Sequence, residues 1–516
     1  MYINNSRFSQ KYLVLLFIIH IFSHYITFER ASLGQDTYAD KLRLLNNSNL
    51  GFLDYFKLSV DRPFNFIFLD FQNRIITDSL VSLTLLIVST FIILLSVFIF
   101  IYLITNSLTY AFLTSLIFDL LPIKSEIFHN IVYLNINIVT SIYIFSIISF
   151  FLFIKNEKKV FFALSCICYF IGIFWYEIGF FVPIFYFICL FLYKKINKKT
   201  IIFMVFLSSI SILYLLYRYF NSFGLSVNEE SHAINLSTEN RSIQDIFNFI
   251  FGRYLFKYVV YGLYQILSLN IFYIFILFIL NSVLIYLISY NLKNIKTFHL
   301  NKNNLFLLLI LFLIILFPII LNGSAAGRHF IIPSIAISFI TISLLYLFFA
   351  KKLVKYFNLI IFFLLFIAQG NCIIQTNSMK IEKDFVNFVN ENKYEIQNSD
   401  LVLVDVESYM SNIKHTLVNN NNNFFNTYFG YQMFETWGIS SIINIYSNNY
   451  KTKNIKKIDY SIGSIKINEQ YTEYQSIQLK KYNQYDLIIK RFNYKKIFII
   501  NFEKVYKNKS RLFKIL

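Results

Sequence analysis

The stretch LVSLTLLIVSTFIILLSVFIFIYL, Leu80 to Leu103, decides the fold class, because it carries no charged residue from end to end. At a helical rise of about 1.5 Å per residue it is long enough to cross the roughly 30 Å hydrocarbon core of a bilayer. Backbone amides in lipid find no water to bond, so such a run becomes a helix that satisfies them internally. Similar apolar runs recur at 13–28, 107–121, 131–154, 160–175, 178–193, 200–219, 270–291, 304–321, 329–349 and 356–371. Together they predict an all-α multispan membrane bundle of about eleven transmembrane helices. The whole-chain composition agrees: 57% of the 516 residues are hydrophobic, 20% aromatic and only 15% charged, with a mean hydropathy of +0.56. Soluble domains do not fall in that range. The stretch Ile243–Leu269 is apolar but carries Asp245, Arg253 and Lys257, and it reads as an interfacial or re-entrant segment.

Immediately before Leu80 lies a long polar loop, 29–79, with Glu29, Arg30, Asp36, Asp40, Arg43, Asp54, Asp61, Arg62, Asp70, Arg74 and Asp78. A connector between spans needs only a few residues, so a loop of this length and charge suggests a structured cap over the membrane mouth. It is expected to hold the active site. The N-terminus has Arg7 and Lys11 ahead of an apolar run, as a signal peptide does, but no small-x-small cleavage site follows. An uncleaved first span is expected.

A net charge of +19 would suit a nucleic-acid partner, yet much of it sits in short clusters between spans: Lys155–Lys159, Lys194–Lys199, the 292–303 connector and Lys351–Lys355. With the N-terminus inside, every one of these clusters faces the cytoplasm, as orientation by basic residues requires. No nucleic acid is expected. The 29–79 loop, 122–130, 175–177, 220–250, 322–329 and the tail then share the outer side. Cys166, Cys168 and Cys189 fall within spans and Cys372 stands apart, so no disulfide framework is implied. From 372 onward the chain turns Asn-, Lys- and Tyr-rich. Ile381–Glu391 has a helical rhythm, and Leu401–Val406 reads as a buried strand. The expected division is a transmembrane domain over 1–371 and a small α/β extramembrane domain over 372–516.

Several residues could carry chemistry. Asp36 and Asp40, four apart, would share a helical face, and one carboxylate could raise the other toward a general base; the plainer reading is a pair of solvated loop carboxylates. Arg62, in Asp61-Arg62-Pro63-Phe64, could grip a phosphate with its fork of donors, or pair with Asp61 or lipid headgroups. Lys124 and Glu126 follow the third span, with His129 nearby. Glu177 stands between two apolar spans, where a carboxylate defaults to a functional candidate, although Trp175 and Tyr176 beside it also fit an interfacial aromatic belt. Arg328 and His329 open the tenth span, at a helix N-terminus that favours phosphate, or snorkel there. His20 and His24, one helical turn apart, have metal-ligand spacing. Such pairs are more often hydrogen-bonded inside a bundle, and no third ligand stands at a fixed spacing. Asp405-Val-Glu407 faintly resembles an acidic metal pair and is read as a strand end. Phosphate-binding glycine loops and nucleophile elbows are absent from the sequence.

Four of these stretches, in order, resemble the membrane core of GT-C glycosyltransferases, in particular the O-mannosyltransferase-like TMTC type and its bacterial relatives. Gln35-Asp36 and Arg62-Pro63-Phe64 are similar to that family's acidic first outer loop and Arg-Pro-Leu. Leu121-Pro-Ile-Lys-Ser-Glu126 is similar to its His-Pro-Ile-His-Thr-Glu, Tyr176-Glu-Ile-Gly179 to its Lys-Glu-x-Gly turn, and Arg328-His-Phe-Ile-Ile-Pro-Ser334 to its Arg-x-Leu-Tyr-Leu-Pro-Ser. The chain departs from the family in having Gln35 beside Asp36, Leu121 and Lys124 in place of two histidines, and no tetratricopeptide period in the tail. The resemblance implies inverting transfer of a sugar from a polyprenyl-phosphate donor to a glycan, lipid or protein acceptor on the outer or lumenal face. Asp36 would be the base and Asp40 its understudy, with Glu126 or Glu177 steadying the oxocarbenium-like transition state. Arg62, Lys124, Arg328 and His329 would hold the donor phosphate. A divalent metal is the one candidate cofactor, and the bacterial inner membrane is expected, with the endoplasmic reticulum as the alternative. The rival expectations are a lipid-linked polysaccharide polymerase, ligase or flippase, or a secondary transporter. Transporters place ionisable groups at the midplane and often show inverted repeats.

Overall fold

The computed structural model describes residues 6–28, 62, 64–65, 67–68, 71–72, 79–129, 131–176, 179–222, 257–292, 306, 309–310, 331–349, 353–398, 401–405, 442–446, 454–457, 463–467, 472–479, 485–492 and 497–501. Among the described residues, six helices are long and apolar enough to cross a membrane, and the protein is a multi-pass membrane protein. In chain order the helices are α1 (Ser6–His24), α2 (Ser79–Thr105), α3 (Leu108–Leu120), the short α4 (Ser125–His129), α5 (Leu134–Asn156), α6 (Lys159–Trp175), α7 (Val182–Leu192), α8 (Lys198–Ser222), α9 (Lys257–Leu267), α10 (Ile271–Leu292), α11 (Ile331–Phe349), α12 (Leu353–Glu391) and α13 (Lys393–Gln397). The six long ones are α2, α5, α8, α10, α11 and α12; α1, α3, α6, α7 and α9 are shorter apolar helices. Most of the expected span at 304–321 lies outside the described residues.

Contacts divide the chain into two units, one of 1–31 and 50–373, the other of 32–49 and 374–516. In the first, α5 is the central helix: 78% of its apolar window is buried, against 22% for α8 and 17% for α10. The peripheral helices instead expose large apolar side chains, Ile202, Val205 and Phe206 on α8 and Phe272, Phe275 and Phe278 on α10. Lipid is as apolar as leucine, so burial does not drive such helices together, and small or polar residues must do so. Ser146 on α5 and Ser165 on α6 each donate to the other's carbonyl, at 2.8 and 3.0 Å, and Ser146 also meets the Tyr186 hydroxyl of α7 at 2.8 Å. Phe150 then stacks on Tyr186 with ring centres 4.1 Å apart. On the other side of the unit, Asn281 of α10 and Gln369 of α12 exchange two buried amide hydrogen bonds of 2.9 and 2.8 Å.

Ser107 caps α3, its hydroxyl accepting from the Tyr110 amide. Asn106 just before it takes φ 52°, a left-handed conformation that asparagine tolerates better than most residues. The sequence places a change of character at 372, but α12 runs unbroken to Glu391. The segment past 371 is polar without being helix-breaking: it has no proline, and Gln, Lys, Glu and Met are good helix formers. Polarity ends a span without ending a helix.

Among the described residues, the second unit carries six strands, β1 (Leu401–Asp405), β2 (Asn454–Lys457), β3 (Gly463–Ile467), β4 (Thr472–Leu479), β5 (Tyr485–Phe492) and β6 (Ile497–Asn501). β1 lies between β2 and β6, parallel to both, with Val402 opposite Ile455 and Phe498. Its unbroken Leu-Val-Leu-Val is the pattern of a parallel strand covered on both faces. β3, β4 and β5 form an antiparallel meander.

Candidate functional site

Two polar groupings stand out in the first unit. The first is fully buried. Helix α1 presents His20 and His24 on one face, since residues four apart align along a helix. The last turn of α3 presents Asp119 to both. His20 Nδ1 lies 2.7 Å from Asp119 Oδ1, and His20 Nε2 lies 2.9 Å from the Thr90 hydroxyl on α2. His24 Nε2 is 3.6 Å from the same carboxylate oxygen and 3.1 Å from the Asp119 carbonyl. His24 Nδ1 meets His129 Nε2 at 3.2 Å. Tyr25, one residue on, donates to the Phe128 carbonyl at 2.6 Å and contacts the Thr90 hydroxyl at 2.9 Å. Phe128 packs edge-on against both imidazoles, at 5.8 Å from His20 and 5.3 Å from His24. His20, Asp119 and His129 are wholly inaccessible to solvent.

Lys124 seals this cluster. The turn Pro122–Lys124 folds back on α3, and the Lys124 ammonium donates to the Phe118 and Asp119 carbonyls. It stands 4.1 Å over the Phe118 ring and 4.7 Å over Phe128. A cation at the exposed carbonyls of a helix C-terminus is favourable. Burial pushes this ammonium down to about 7, against the pull of the Asp119 carboxylate. Burial also holds His129 well below the ordinary histidine range, with the neighbouring His24 and His20 adding to the shift.

The second grouping gathers stretches far apart in sequence. The Arg62 guanidinium lies 4.3 Å over the Tyr176 ring, a cation–π contact worth about 0.5–2 kcal/mol. Phe64 packs against Phe170 and Phe174, each 6.3 Å away, and Phe68 against Trp175 at 4.9 Å. Asn135 at the start of α5 donates to Asn65 at 2.6 Å, and Gln72 donates to the Ile131 carbonyl at 3.3 Å. Part of the first loop is thus bound to the end of α6 and the entry of α5. Beneath it Tyr143 of α5 donates to the Tyr176 carbonyl at 2.7 Å. Its ring fills the space where Gly172 and Gly179 have no side chain, so a Cβ at either position would strike it. Tyr143→Phe keeps the ring and removes one buried hydrogen bond. We expect it to lower stability in detergent by about 1 kcal/mol, measured by thermal unfolding against the parent; an unchanged midpoint would show that the Tyr176 carbonyl has another donor.

Of the residues singled out from sequence, Arg62 is half-buried on Tyr176 and Lys124 is buried on carbonyls. Glu126 belongs to α4. Asp36, Asp40, Glu177, Arg328 and His329 lie outside the described residues. His20 and His24 do have a third partner, Asp119, which spacing did not reveal because it is 95 residues from His24. The available signal was a lone carboxylate within an apolar run, the same rule that singled out Glu177. The chain matches no protein-family model. No curated protein matches its sequence.

Proposed function

We propose that this protein is an integral-membrane glycosyltransferase of GT-C type that moves a sugar from a polyprenyl-phosphate donor to an acceptor on the outer face of the bacterial inner membrane. The C-terminal unit then forms a periplasmic α/β domain. One observation supports this reading above the others: Arg62 and Phe64 of the first resembling stretch meet Tyr176, which opens the third, and its neighbour Phe174. Arg62 lies on Tyr176, Phe64 on Phe174, and Asn65 accepts from Asn135. Arg62 and Tyr176 belong to two of the four stretches that resemble the glycosyltransferase core, and they touch although they lie far apart in sequence.

In this reaction the acceptor hydroxyl attacks the anomeric carbon as the bond to the donor phosphate breaks. The hydroxyl proton passes to Asp36 and the polyprenyl phosphate leaves with the bonding pair. A phosphate leaving group needs fixed cations, because charge builds on its oxygens in the transition state. Arg62 is suited to that role, since its fork of donors matches a phosphate and Tyr176 holds its plane. Lys124, bound to carbonyls, would act through the position of the α3–α4 turn.

The test is incorporation of radiolabelled sugar from a panel of polyprenyl-phosphate sugars by purified protein in proteoliposomes. Transfer is expected with at least one donor, lost in Asp36→Asn. In Arg62→Ala, kcat/KM is expected to fall about 10²–10³-fold, the usual cost of removing one transition-state donor. No transfer with any donor, or full activity in Asp36→Asn, would overturn the assignment. Movement of intact donor across the bilayer without transfer would favour a flippase, and ion-coupled solute uptake a secondary transporter.

A further inference from the structure

We propose that His20, His24 and Asp119 form a binding site for one divalent transition-metal ion of the zinc class. One ligand atom from each residue lies within 4.8 Å of the others. Nitrogen and oxygen ligands about 2 Å from a tetrahedral centre stand roughly 3.3 Å apart, and the separations from Asp119 Oδ1, 2.7 Å to His20 and 3.6 Å to His24, bracket that value. Small rotations of the three side chains would therefore admit the ion.

Three further features point to a metal and away from a simple hydrogen-bond network. Each histidine has its second ring nitrogen engaged: His20 Nε2 with Thr90 and His24 Nδ1 with His129. Metal-bound imidazoles almost always donate their other nitrogen to such a partner, which orients the ring and sets its tautomer. Next, among the described residues Asp119 Oδ2 is buried without a hydrogen-bond partner, and the same holds for His129 Nδ1. A buried carboxylate oxygen without a partner is costly, and a cation beside the carboxylate would satisfy it. Finally, Lys124 directs its ammonium to the Phe118 and Asp119 carbonyls, so the carboxylate face toward the imidazoles is left to the ion.

The ligand chemistry selects among metals. Two imidazoles and one carboxylate suit zinc, cobalt, nickel or ferrous iron and are poorly matched to calcium or magnesium, which take oxygen ligands. Three protein ligands leave a fourth position for water or a substrate oxygen. The site ties α1 to α3 and, through Thr90, to α2.

Metal content tests this without substrate, so it stands or falls separately from sugar transfer. Protein purified in detergent without chelator is expected to carry about one transition-metal ion per chain by elemental analysis. Protein produced in cobalt-supplemented medium is expected to show the visible absorption of tetrahedral cobalt. In His24→Cys, a thiolate would replace an imidazole and add a sulfur-to-cobalt charge-transfer band. Thr90→Val removes the partner of His20 Nε2, together with the contact to the Tyr25 hydroxyl, and leaves all three ligands in place; metal affinity is expected to drop about 10–100-fold in a folded protein. Asp119→Asn is expected to lose the ion. Wild-type protein that is folded, carries less than about a tenth of an equivalent and shows no cobalt band would overturn the site. Equal metal content in wild-type and Asp119→Asn would overturn these ligands.

Discussion

Gly370→Ala is expected to leave little folded protein. Helix α9 crosses α12 where Gly262 faces Gly370, and the backbones are so close that a Cβ on residue 370 would strike the Gly262 carbonyl group. A Cβ on residue 262 would lie 2.5 Å from the Ile367 carbonyl oxygen. Both obstacles are backbone, so no rotamer change relieves them and the helices must separate. Separation would also break the hydrogen bond from the Asn371 side chain to the Tyr258 carbonyl, 3.2 Å in the native crossing. Close approach of backbones is the main means by which helices associate in lipid. Overpacking costs about 1–3 kcal/mol where side chains can shift and more where they cannot, a large share of a marginal stability. The measurement is the monodisperse yield and the thermal midpoint in detergent, with Leu359→Ala, at an exposed position, as the control. A midpoint equal to that of the control would show that the crossing does not close as described.

Asp119→Ala is expected to destabilise the bundle by about 1–3 kcal/mol or more, the cost of leaving buried hydrogen-bonding groups without their partner. Without the carboxylate, His20 Nδ1 loses its 2.7 Å partner in a place that water does not reach. Lys124 loses a carboxylate that favours its charged form. Asp119→Asn should cost less, because the amide oxygen can still accept from His20. Thermal unfolding in the same detergent, at matched metal content, separates the two variants. A loss below about 1 kcal/mol in the alanine variant would mean that the cluster adds little to stability, whatever it binds.

Membrane character was fully legible in residues 80–103, since a chargeless run of that length has few other uses. The positions of most helices were legible for the same reason, each being a local property of a local run. Boundaries were less so. α12 continues past the polarity change at 371 because helix propensity and lipid solubility are different properties, and α7 starts at Val182 behind the Gly179–Phe181 turn. His20 and His24 could be paired from sequence because one helical turn joins them. Asp119 could not be joined to them, because nothing local to either segment records that α1 packs on α3.

The sequence by itself determined that the chain is a multi-pass helical membrane protein with a polar, strand-forming C-terminal part, because hydropathy, charge and residue propensity act over a few neighbouring residues. Only the tertiary structure decided that His20, His24, Asp119 and His129 share one buried pocket and that Arg62 rests on Tyr176. It likewise decided that Gly262 and Gly370 form a crossing. Those pairings join residues dozens to more than a hundred positions apart, and in lipid they depend on shape and hydrogen-bond fit between helix faces, which no linear pattern encodes.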